Sequence, residues 1–399
     1  MSERFRFNRL EFAGSLGDLG TLLPIAIAMV LVNGLNPLGL FFSIGLFYIV
    51  SGTYFGVTVP VQPMKVIGAY AIATAMSADQ ILASTLLMAS LLLIVGLTGV
   101  IDVVRKITPQ SVIRGVQLST GALLMSGGVK FIIGTSKFQT MQNAVEPYLA
   151  LQYLGPIPIS ILIGGIAGVC TLLLLDSKKF PAGLIVVLGG IVAGLALGAG
   201  GNLMKTEIGL HMPQFFTLGF PGEVDFTFAL FALVLPQLPM TLGNAVLAYT
   251  DLSKQYFGDR SKKVSNRKAC LSMALANFFS FCVGGMPLCH GSGGLAAHYR
   301  FGARTAGSNL MIGLIFAVLA LVLGEDIVSV LNLLPMAVLG VLLLFAGSQL
   351  TLTIMDLEKR KDFFIATLIL GITLASNLAA GFIAGMIIAW VLKWEKLTV

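Results

Sequence analysis

Charged side chains are scarce in this sequence. Asp, Glu, Lys and Arg make up only 11% of its 399 residues, whereas hydrophobic residues make up 56%. A soluble domain carries about 25% charged residues, so a soluble globular fold is excluded. Long uncharged stretches follow one another, on the scale of the roughly 20 residues that a helix needs to cross ~30 Å of hydrocarbon. The sequence therefore predicts an all-α polytopic membrane protein surrounded by a lipid bilayer.

Motifs of several other protein classes are also absent. The four cysteines form no C-x-x-C pair, no N-x-S/T sequon occurs, and no G-x-x-x-x-G-K-[ST] phosphate-binding loop is present. These absences argue against a disulfide framework and against ATP-driven transport by this chain alone. The basic start MSERFRFNRLEF leads into an apolar run of full span length, so we expect no cleavable signal peptide. Cys282, Cys289 and His290 have no carboxylate or second histidine close in sequence, so we expect no metal, no cofactor and no enzymatic activity.

Apolar segments recur along the whole chain. We predict fourteen of them, at residues 12–32, 37–55, 57–76, 80–101, 110–134, 157–175, 181–200, 226–250, 266–284, 285–301, 303–323, 327–349, 363–378 and 379–393. Basic residues favour cytoplasmic loops. With a cytoplasmic N-terminus, only Lys65, Lys130, Lys137 and Lys205 of the 25 Lys and Arg residues fall outside such loops. The net charge of +7 thus reflects topology and not nucleic-acid binding, and we expect both termini to be cytoplasmic in a bacterial inner membrane.

The segments divide into two sets of seven. The first repeat covers residues 1–201, an external connector covers 202–225, and the second repeat covers 226–399; because seven is odd, the second repeat is inverted. PQSVIRGVQLSTGALL in the first half resembles PMAVLGVLLLFAGSQL in the second. The third segment of each half, VTVPVQPMKVIGAYA and CVGGMPLCHGSGGLAAHY, is interrupted by proline and glycine. Spans 3 and 10 are therefore predicted as a short strand followed by a half-helix.

Interrupted segments at matching positions of two halves indicate a transporter binding site. Irregular backbone at membrane depth is tolerated only where it is buried in protein or lines a cavity. The two half-helix N-termini would face one point, and each carries about +0.5 charge. Together with Lys65 they would supply roughly +2, which balances a dianion. The alternative is a permanent ion pair between Lys65 and Asp18, and the sequence does not exclude either.

The candidate binding residues share a position near the two breaks or near the middle of spans 1 and 8. They are Thr21, Gln62, Met64, Lys65, Gln237, Asn244, His290, Gly291, Ser292 and Gly293. For Thr21, Gln237 and Asn244 the alternative is a hydrogen bond between helices, and for His290 it is a packed structural role. Asp18 is the candidate proton carrier, since an ionised carboxylate would repel an anion; the alternative is a helix cap or a partner for Lys65.

Four motifs resemble those of the molybdate transporter family, a branch related to the sulfate permease (SulP) superfamily: GSLGDLGTLLP, PVQPMKVIGAYA, LPQLPMTLGNAV and PLCHGSGGLAAHYRFGART. The resemblance implies the fourteen-span inverted-repeat fold shared with sulfate and uracil permeases. Core spans would lie within 12–101 and 226–323, and gate spans within 110–200 and 327–393. The chain ends shortly after its last segment, so no C-terminal STAS-type domain is expected. The eighth segment also lacks the carboxylate that proton-coupled relatives often carry.

Residues and resemblance together predict a secondary active transporter that imports molybdate, coupled to H⁺, by movement of core against gate. Two alternatives stay open. Sulfate or another tetrahedral oxyanion has similar charge, and spacing cannot separate it from molybdate. An anion channel of the same fold is the second alternative. The expected partners are the oxyanion, protons and the bilayer, and a homodimer is left open.

Overall fold

The computed structural model describes residues 4–101, 108–175, 177, 181–201, 206 and 208–392. The predicted connector at 202–225 lies partly outside these ranges. Seven basic residues of the charge pattern also lie outside them: Arg105, Lys106, Lys178, Lys179, Lys205, Lys393 and Lys396.

Helices dominate the described chain, and they are numbered here in chain order. The first half contains α1 (Arg9–Ser15), α2 (Leu19–Leu31), α3 (Pro37–Phe55), β1 (Gln62–Pro63), α4 (Lys65–Thr74), α5 (Ala78–Thr98), α6 (Gln110–Ile133), α7 (Lys137–Met141), β2 (Tyr153–Leu154), β3 (Ile157–Pro158), α8 (Ile159–Leu174) and α9 (Ala182–Ala196). The second half contains α10 (Glu223–Ala229), α11 (Leu235–Met240), α12 (Tyr249–Phe257), α13 (Asn266–Cys282), β4 (Leu288–Cys289), α14 (Ser292–Phe301), α15 (Ala306–Leu323), α16 (Ile327–Leu331), α17 (Met336–Thr351), α18 (Arg360–Ala375) and α19 (Leu378–Val391).

Several of these helices are long enough to span a bilayer. By length and composition, six helical stretches among the described residues qualify, and α1 with α2, bent by 44°, would make a seventh. Helices α4, α8, α9 and α19 are apolar but shorter. One predicted boundary is wrong: the segment 327–349 is broken, because α17 begins only after Pro335, which occupies its N-cap position.

The stretch from α10 to α12 is continuous but irregular. Two π-helical segments, Leu230–Val234 and Thr241–Ala248, flank α11. Pro236 and Pro239 lie in α11, and each lacks the N–H that a regular helix would use. Such π-windings often occur at functional sites. Asn244 lies in the second π-helical segment and Gln237 lies in α11 between the two, and both are candidate binding residues.

Strands β1 and β4 lie side by side in a two-stranded sheet, which is called the strand crossing below. This sheet brings the two interrupted segments together. The strands pair antiparallel, with Gln62 opposite Cys289 and Pro63 opposite Leu288. Each strand leads within a few residues into a half-helix, α4 or α14. The strand-then-helix form predicted for both segments is therefore observed, and the N-terminal ends of the two half-helices lie on either side of one crossing.

Two buried asparagines satisfy the extended backbone near this crossing. Asn309 of α15 accepts a hydrogen bond from Val59 N–H (2.9 Å) and donates one to the Val59 carbonyl oxygen (2.8 Å). Asn277 of α13 does the same for Leu288, accepting from its N–H and donating to its oxygen, both at 2.8 Å. An unpaired backbone group in an apolar interior costs several kcal/mol. These side chains therefore make non-helical backbone tenable at this depth.

The helices form two groups. The first bundle comprises α1–α5 and α10–α15, with α3 packed along α15 and α5 along α13. The second bundle comprises α6, α8, α9 and α17–α19, with α6 packed along α17 and against α18. Helices α2 and α4 of the first bundle contact α17 and α6 of the second. The strand crossing belongs to the first bundle and lies near this boundary.

Glu146, in the loop after α7, anchors the start of α17. Its carboxylate accepts hydrogen bonds from the N–H groups of Met336 (2.7 Å) and Ala337 (2.8 Å), and the residue is 1% exposed. Burial raises the pKa of Glu146 to about 7, while the two backbone hydrogen bonds lower it. Because the unfolded carboxyl has a pKa near 4.5, the folded state binds the proton more tightly between these values. This group therefore lowers the free energy of unfolding as pH rises from 4.5 to about 7.

We expect Glu146→Gln to flatten the dependence of the melting temperature on pH over this range, since the titrating group is gone. Glu146→Ala should lower the free energy of unfolding by about 1–3 kcal/mol, because two backbone donors lose their acceptor. Thermal melting of the purified protein at several pH values measures both effects. Glu223→Gln, in the first turn of α10, is the control. A Glu146→Gln profile that matches the wild type would contradict the assignment.

Candidate functional site

A cavity of about 250 Å³ lies between the two bundles, next to the strand crossing. Its volume greatly exceeds the roughly 10–15 Å³ that a single water requires. The polar residues on its wall come from both bundles: Thr21, Lys65, Asn244 and Ser292 from the first, and Gln117, Gln349 and Thr353 from the second or from the turn after it. Gly293 also lines it. The cavity therefore joins both half-helices to the opposite bundle.

Lys65, the first residue of α4, is the cation of this cavity. Among the described residues, no carboxylate lies within 4.0 Å of its ammonium group, and the ion pairs found there are Arg114–Asp356 and Lys262–Asp259. The permanent Lys65–Asp18 ion pair, considered above as an alternative, is thus not formed in this structure. A partly buried ammonium that forms no direct ion pair favours binding of an anion from outside the chain.

The start of α14 presents unused backbone donors to the same cavity. The N–H groups of Gly294 and Leu295 both bond the Gly291 oxygen, whereas those of Ser292 and Gly293 have no partner within the described residues. A Cβ at Gly293 would meet no atom within 4 Å. The Ser292 hydroxyl donates to Asn244 Oδ1 at 2.5 Å, which fixes the orientation of that amide. Helix N-termini with free N–H groups attract anions.

The start of α4 differs, because the N–H groups of Met64, Val66 and Ile67 are used within the fold. Gln237 Oε1 accepts from the N–H groups of Val66 (2.9 Å) and Ile67 (3.2 Å), and Met64 N–H bonds the Pro287 oxygen at 2.9 Å. Gln237 Nε2 donates to Thr241. Gln237 and Met64 are thus part of the scaffold in this structure, and neither lines the 250 Å³ cavity.

His290 also faces away from the cavity. Its Nδ1 lies 2.9 Å from the Pro60 oxygen and its Nε2 lies 3.0 Å from Ser272 Oγ. Its ring packs against those of Phe47 and Tyr249, with centroids 4.6 and 5.3 Å away. Both ring nitrogens are occupied, so His290 links α13 to the strand crossing. No group of three or more His, Cys, Asp or Glu that could hold a metal occurs among the described residues.

Asp18 and Gln62 form a buried pair behind the cavity. Gln62 Nε2 donates to Asp18 Oδ1 at 2.6 Å, while Asp18 Oδ2 and Gln62 Oε1 have no partner among the described residues. A Cβ at Gly291 would overlap Gln62 Oε1, and one at Gly294 would press against Asp18 Oδ2. Gly291 and Gly294 thus let α14 approach this pair closely, whereas Gly293 opens onto the cavity.

Sequence reasoning missed the polar residues of the second bundle. Gln117 Oε1 accepts from Arg114 Nη1 (2.7 Å) and from the Thr353 hydroxyl (3.0 Å), and Arg114 is itself held by an ion pair with Asp356. These two bonds fix the Gln117 amide so that its nitrogen is the end without a partner in the described chain. The available signal was a glutamine inside an apolar segment, at Gln117 and again at Gln349.

A second cavity, of about 340 Å³, adjoins the first at Gly293. Gly17, Gly20, Ala297 and Arg300 line it on the first bundle, and Pro181 and Gly183 line it on the second. Gly20 and Gly183 let the two bundles approach each other closely beside this cavity, since a Cβ at Gly183 would overlap the Gly20 Cα.

The fold of this chain is similar to that of several solved membrane proteins. It is similar to the solved structure of SLC26A9 (TM-score 0.65, 17% identity), covering 96% of this chain but only 65% of that one, less than two thirds. Murine Slc26a9, described as an anion transporter in the inward-facing state, gives a TM-score of 0.66 at 14% identity, over 98% of this chain and 69% of that one. The transmembrane domain of a cyanobacterial bicarbonate transporter, BicA, gives 0.64 at 17% identity, over 96% and 97% of the two chains. The protein is thus an integral multi-pass membrane protein with the fold of SLC26-type transporters.

Sequence comparison identifies the family. The model for "Molybdate transporter of MFS superfamily" matches residues 10–124 and 229–350. Molybdate transporter 1 of Arabidopsis thaliana is 30% identical over 94% of this chain and 86% of its own length, and molybdate transporter 2 of the same plant is 30% identical over 92% and 83%. Molybdate transporter 1 of Chlamydomonas reinhardtii is 29% identical over 90% and 86%. The chain therefore belongs to the molybdate transporter family, which is a family of transporters and not of enzymes.

Proposed function

We propose that this protein is a secondary active transporter that imports molybdate, a tetrahedral dianion, across the membrane in a process coupled to H⁺. The observation that carries the proposal is the composition of the 250 Å³ cavity. It combines the Lys65 ammonium, which has no carboxylate within 4.0 Å in the described chain, with the unused N–H groups of Ser292 and Gly293. The described wall of this cavity carries cationic and neutral polar side chains but no carboxylate.

The charges of the site suit a dianion. Each half-helix N-terminus contributes about +0.5 charge, so α4, α14 and Lys65 together supply roughly +2. Direct hydrogen bonds come from the N–H groups of Ser292 and Gly293 at the start of α14, from Lys65, and from Gln117 on the facing bundle. Thr21 and Asn244 complete the set as hydrogen-bonding residues on the first bundle. Gly291 contributes indirectly, because its lack of a side chain lets the start of α14 pack closely against Gln62.

The packing supports the proposed fourteen-span inverted repeat. Numbered as predicted spans, α3 with α15 is the pair 2 and 11, and α5 with α13 is the pair 4 and 9. When each span is replaced by its counterpart in the other half, the pair 2 and 11 becomes the pair 9 and 4. The pairs β1–β4 and α6–α17, spans 3 with 10 and 5 with 12, convert into themselves. The first bundle is then the core, the second is the gate, and both termini lie on the cytoplasmic side of the membrane.

Transport would occur by alternating access, with the core moving against the gate. The cavity lies on the boundary between the two bundles, and the neighbouring 340 Å³ cavity shares Gly293 with it. Movement of the core against the gate would join the two and open a route to one face. Proton coupling is assigned to Asp18, which contacts Gln62 of β1 and lies close behind the half-helices. A proton on Asp18 would remove its repulsion of the dianion.

Uptake of radiolabelled molybdate into proteoliposomes, with and without an inward pH gradient, tests the proposal. We expect slow, saturable uptake that the gradient stimulates and that tungstate inhibits. Competition by uracil but not by oxyanions would refute the substrate class. Stronger inhibition by sulfate than by tungstate would favour the alternative of a sulfate transporter. Ion currents far above carrier turnover would favour an anion channel.

Gly293 provides a test of the α14 donors. We expect Gly293→Ala to weaken molybdate binding about tenfold, the equivalent of one charge-assisted hydrogen bond, because the new methyl group keeps the oxyanion from the backbone. Folding should be preserved, since a Cβ there meets no atom within 4 Å. Gly165→Ala in α8, equally unobstructed and away from both cavities, is the matched control. Equal affinities of the Gly293 variant and the wild type would contradict the site.

A further inference from the structure

A groove on the outer surface of the first bundle lies apart from the transport cavity. Helices α3 and α13 form it, and its volume is about 460 Å³. Its wall is almost entirely apolar, with Phe47 and Val50 on one helix and Leu275 and Phe279 on the other. Val50 and Leu275 are 56% and 69% exposed. No described element of the chain covers this surface.

The groove has the length of one membrane leaflet. On α3 it runs from Ser43 to Tyr54, and on α13 from Lys268 to Phe279. Eleven helical steps of 1.5 Å make about 16 Å. One leaflet is about half of the ~30 Å hydrocarbon core. A single acyl chain of a phospholipid can therefore lie along the groove from the headgroup level to the bilayer midplane.

One end of the groove is cationic. Lys268 lines it, and the ammonium groups of Lys263 and Lys268 lie 5.6 and 6.0 Å from the centroid of the Tyr54 ring. Neither lysine has a carboxylate within 4.0 Å in the described chain, whereas Lys262, in the same loop, pairs with Asp259 at 3.4 Å. Two ammonium groups thus stand where the headgroup of a lipid in this leaflet would lie. Basic residues at this level attract anionic lipids.

We propose that the α3–α13 groove binds an anionic phospholipid, with one acyl chain along the groove and the phosphate on Lys263 and Lys268. The lipid then contacts Ser272 on the floor of the groove. Ser272 Oγ is bonded to His290 Nε2, and His290 Nδ1 to the Pro60 oxygen next to β1. A bound chain shields this hydrogen-bonded link from water and stabilises the strand crossing. The site is separate from the proposed oxyanion cavity and does not depend on the identity of its substrate.

Native mass spectrometry of the full chain, extracted from vesicles with equal amounts of phosphatidylcholine and phosphatidylglycerol, tests this. We expect the retained lipid to be enriched in phosphatidylglycerol, and Lys263→Gln and Lys268→Gln to reduce that enrichment about fivefold each. Lys262→Gln is the matched control and should retain wild-type enrichment. Leu275→Trp, which fills the groove from an exposed position, should reduce retention of both lipids.

Melting temperatures in the same two lipids give a second readout. We expect phosphatidylglycerol to stabilise the wild type more than the Lys263/Lys268 double variant. Equal retention of the two lipids by the wild type would overturn the proposal, as would unchanged enrichment in the double variant. Displacement of the lipid by inorganic phosphate would show that only the phosphate is bound and that the acyl chain does not occupy the groove. This result would also overturn the proposal. A dimer that buries Leu275 and carries no lipid would assign the groove to a second copy instead.

Discussion

Lys65→Met should reduce molybdate binding by at least about 100-fold. The methionine retains the length and apolar stem of the lysine but removes the charge that faces the cavity. Deleting one member of a buried charge pair costs roughly 3–5 kcal/mol, and a factor of 100 corresponds to about 2.7 kcal/mol. The shift of the melting temperature by added molybdate measures the loss without requiring transport. Lys65→Arg should recover part of the affinity, since it restores the charge with a different geometry.

The same variant separates a binding role from a structural one. Because no carboxylate lies within 4.0 Å of Lys65 in the described chain, its removal breaks no direct ion pair there. The melting temperature without ligand should therefore stay close to that of the wild type. Lys130→Met, in the last turn of α6, is the control for loss of a positive charge. A large drop in the ligand-free melting temperature of Lys65→Met alone would instead indicate an internal partner.

The backbone of the site could be predicted from sequence because its determinants are local. Pro60 and Pro63 cannot continue a helix across the third segment, and Pro287 interrupts the tenth in the same way. Membrane depth then requires that both breaks be buried together. The pairing of β1 with β4 confirms this proximity. The prediction of donors at the start of α14 depended on the same local reasoning.

The partners of individual side chains could not be predicted, since they are chosen across the fold. Gln237 lies at the right depth to bind an anion, but the open N–H groups of Val66 and Ile67 are nearer and use its oxygen. His290 is adjacent to the half-helix, yet its ring turns toward Pro60 and Ser272. Sequence symmetry suggested two equivalent half-helices. The structure shows one capped by a neighbouring glutamine and one with unused donors.

The second bundle illustrates the same limit. Gln117 carries no local signal beyond being polar in an apolar helix. Its role depends on Arg114 one turn earlier and on Thr353, more than 200 residues away in sequence. Only the packing of α6 along α17 brings these groups together. The sequence pattern therefore predicted candidate binding residues on the first bundle but not on the surface of the second bundle that faces them.

Asp18→Asn should abolish the stimulation of molybdate uptake by an inward pH gradient while leaving exchange of molybdate across the membrane intact. The asparagine has the shape of a protonated aspartic acid, and its oxygen can still accept from Gln62, so the buried pair is kept. Lys65, Tyr48 and Cys289 are the titratable groups that interact electrostatically with Asp18, and none of them changes. The binding of molybdate should then no longer depend on protonation of this carboxyl.

Gradient-driven uptake and counterflow, measured in the same proteoliposomes, distinguish coupling from general damage. The wild type should accumulate molybdate against its gradient when the outside is acidic, whereas Asp18→Asn should only equilibrate it. Asp79→Asn, in the first turn of α5, is the matched control and should behave as the wild type. The buried Asp18 Oδ2, which has no partner in the described chain, gives the physical reason. An ionised oxygen held there without a donor is costly, and a proton that arrives with the dianion removes that cost. Undiminished gradient stimulation in Asp18→Asn would place the coupling proton elsewhere.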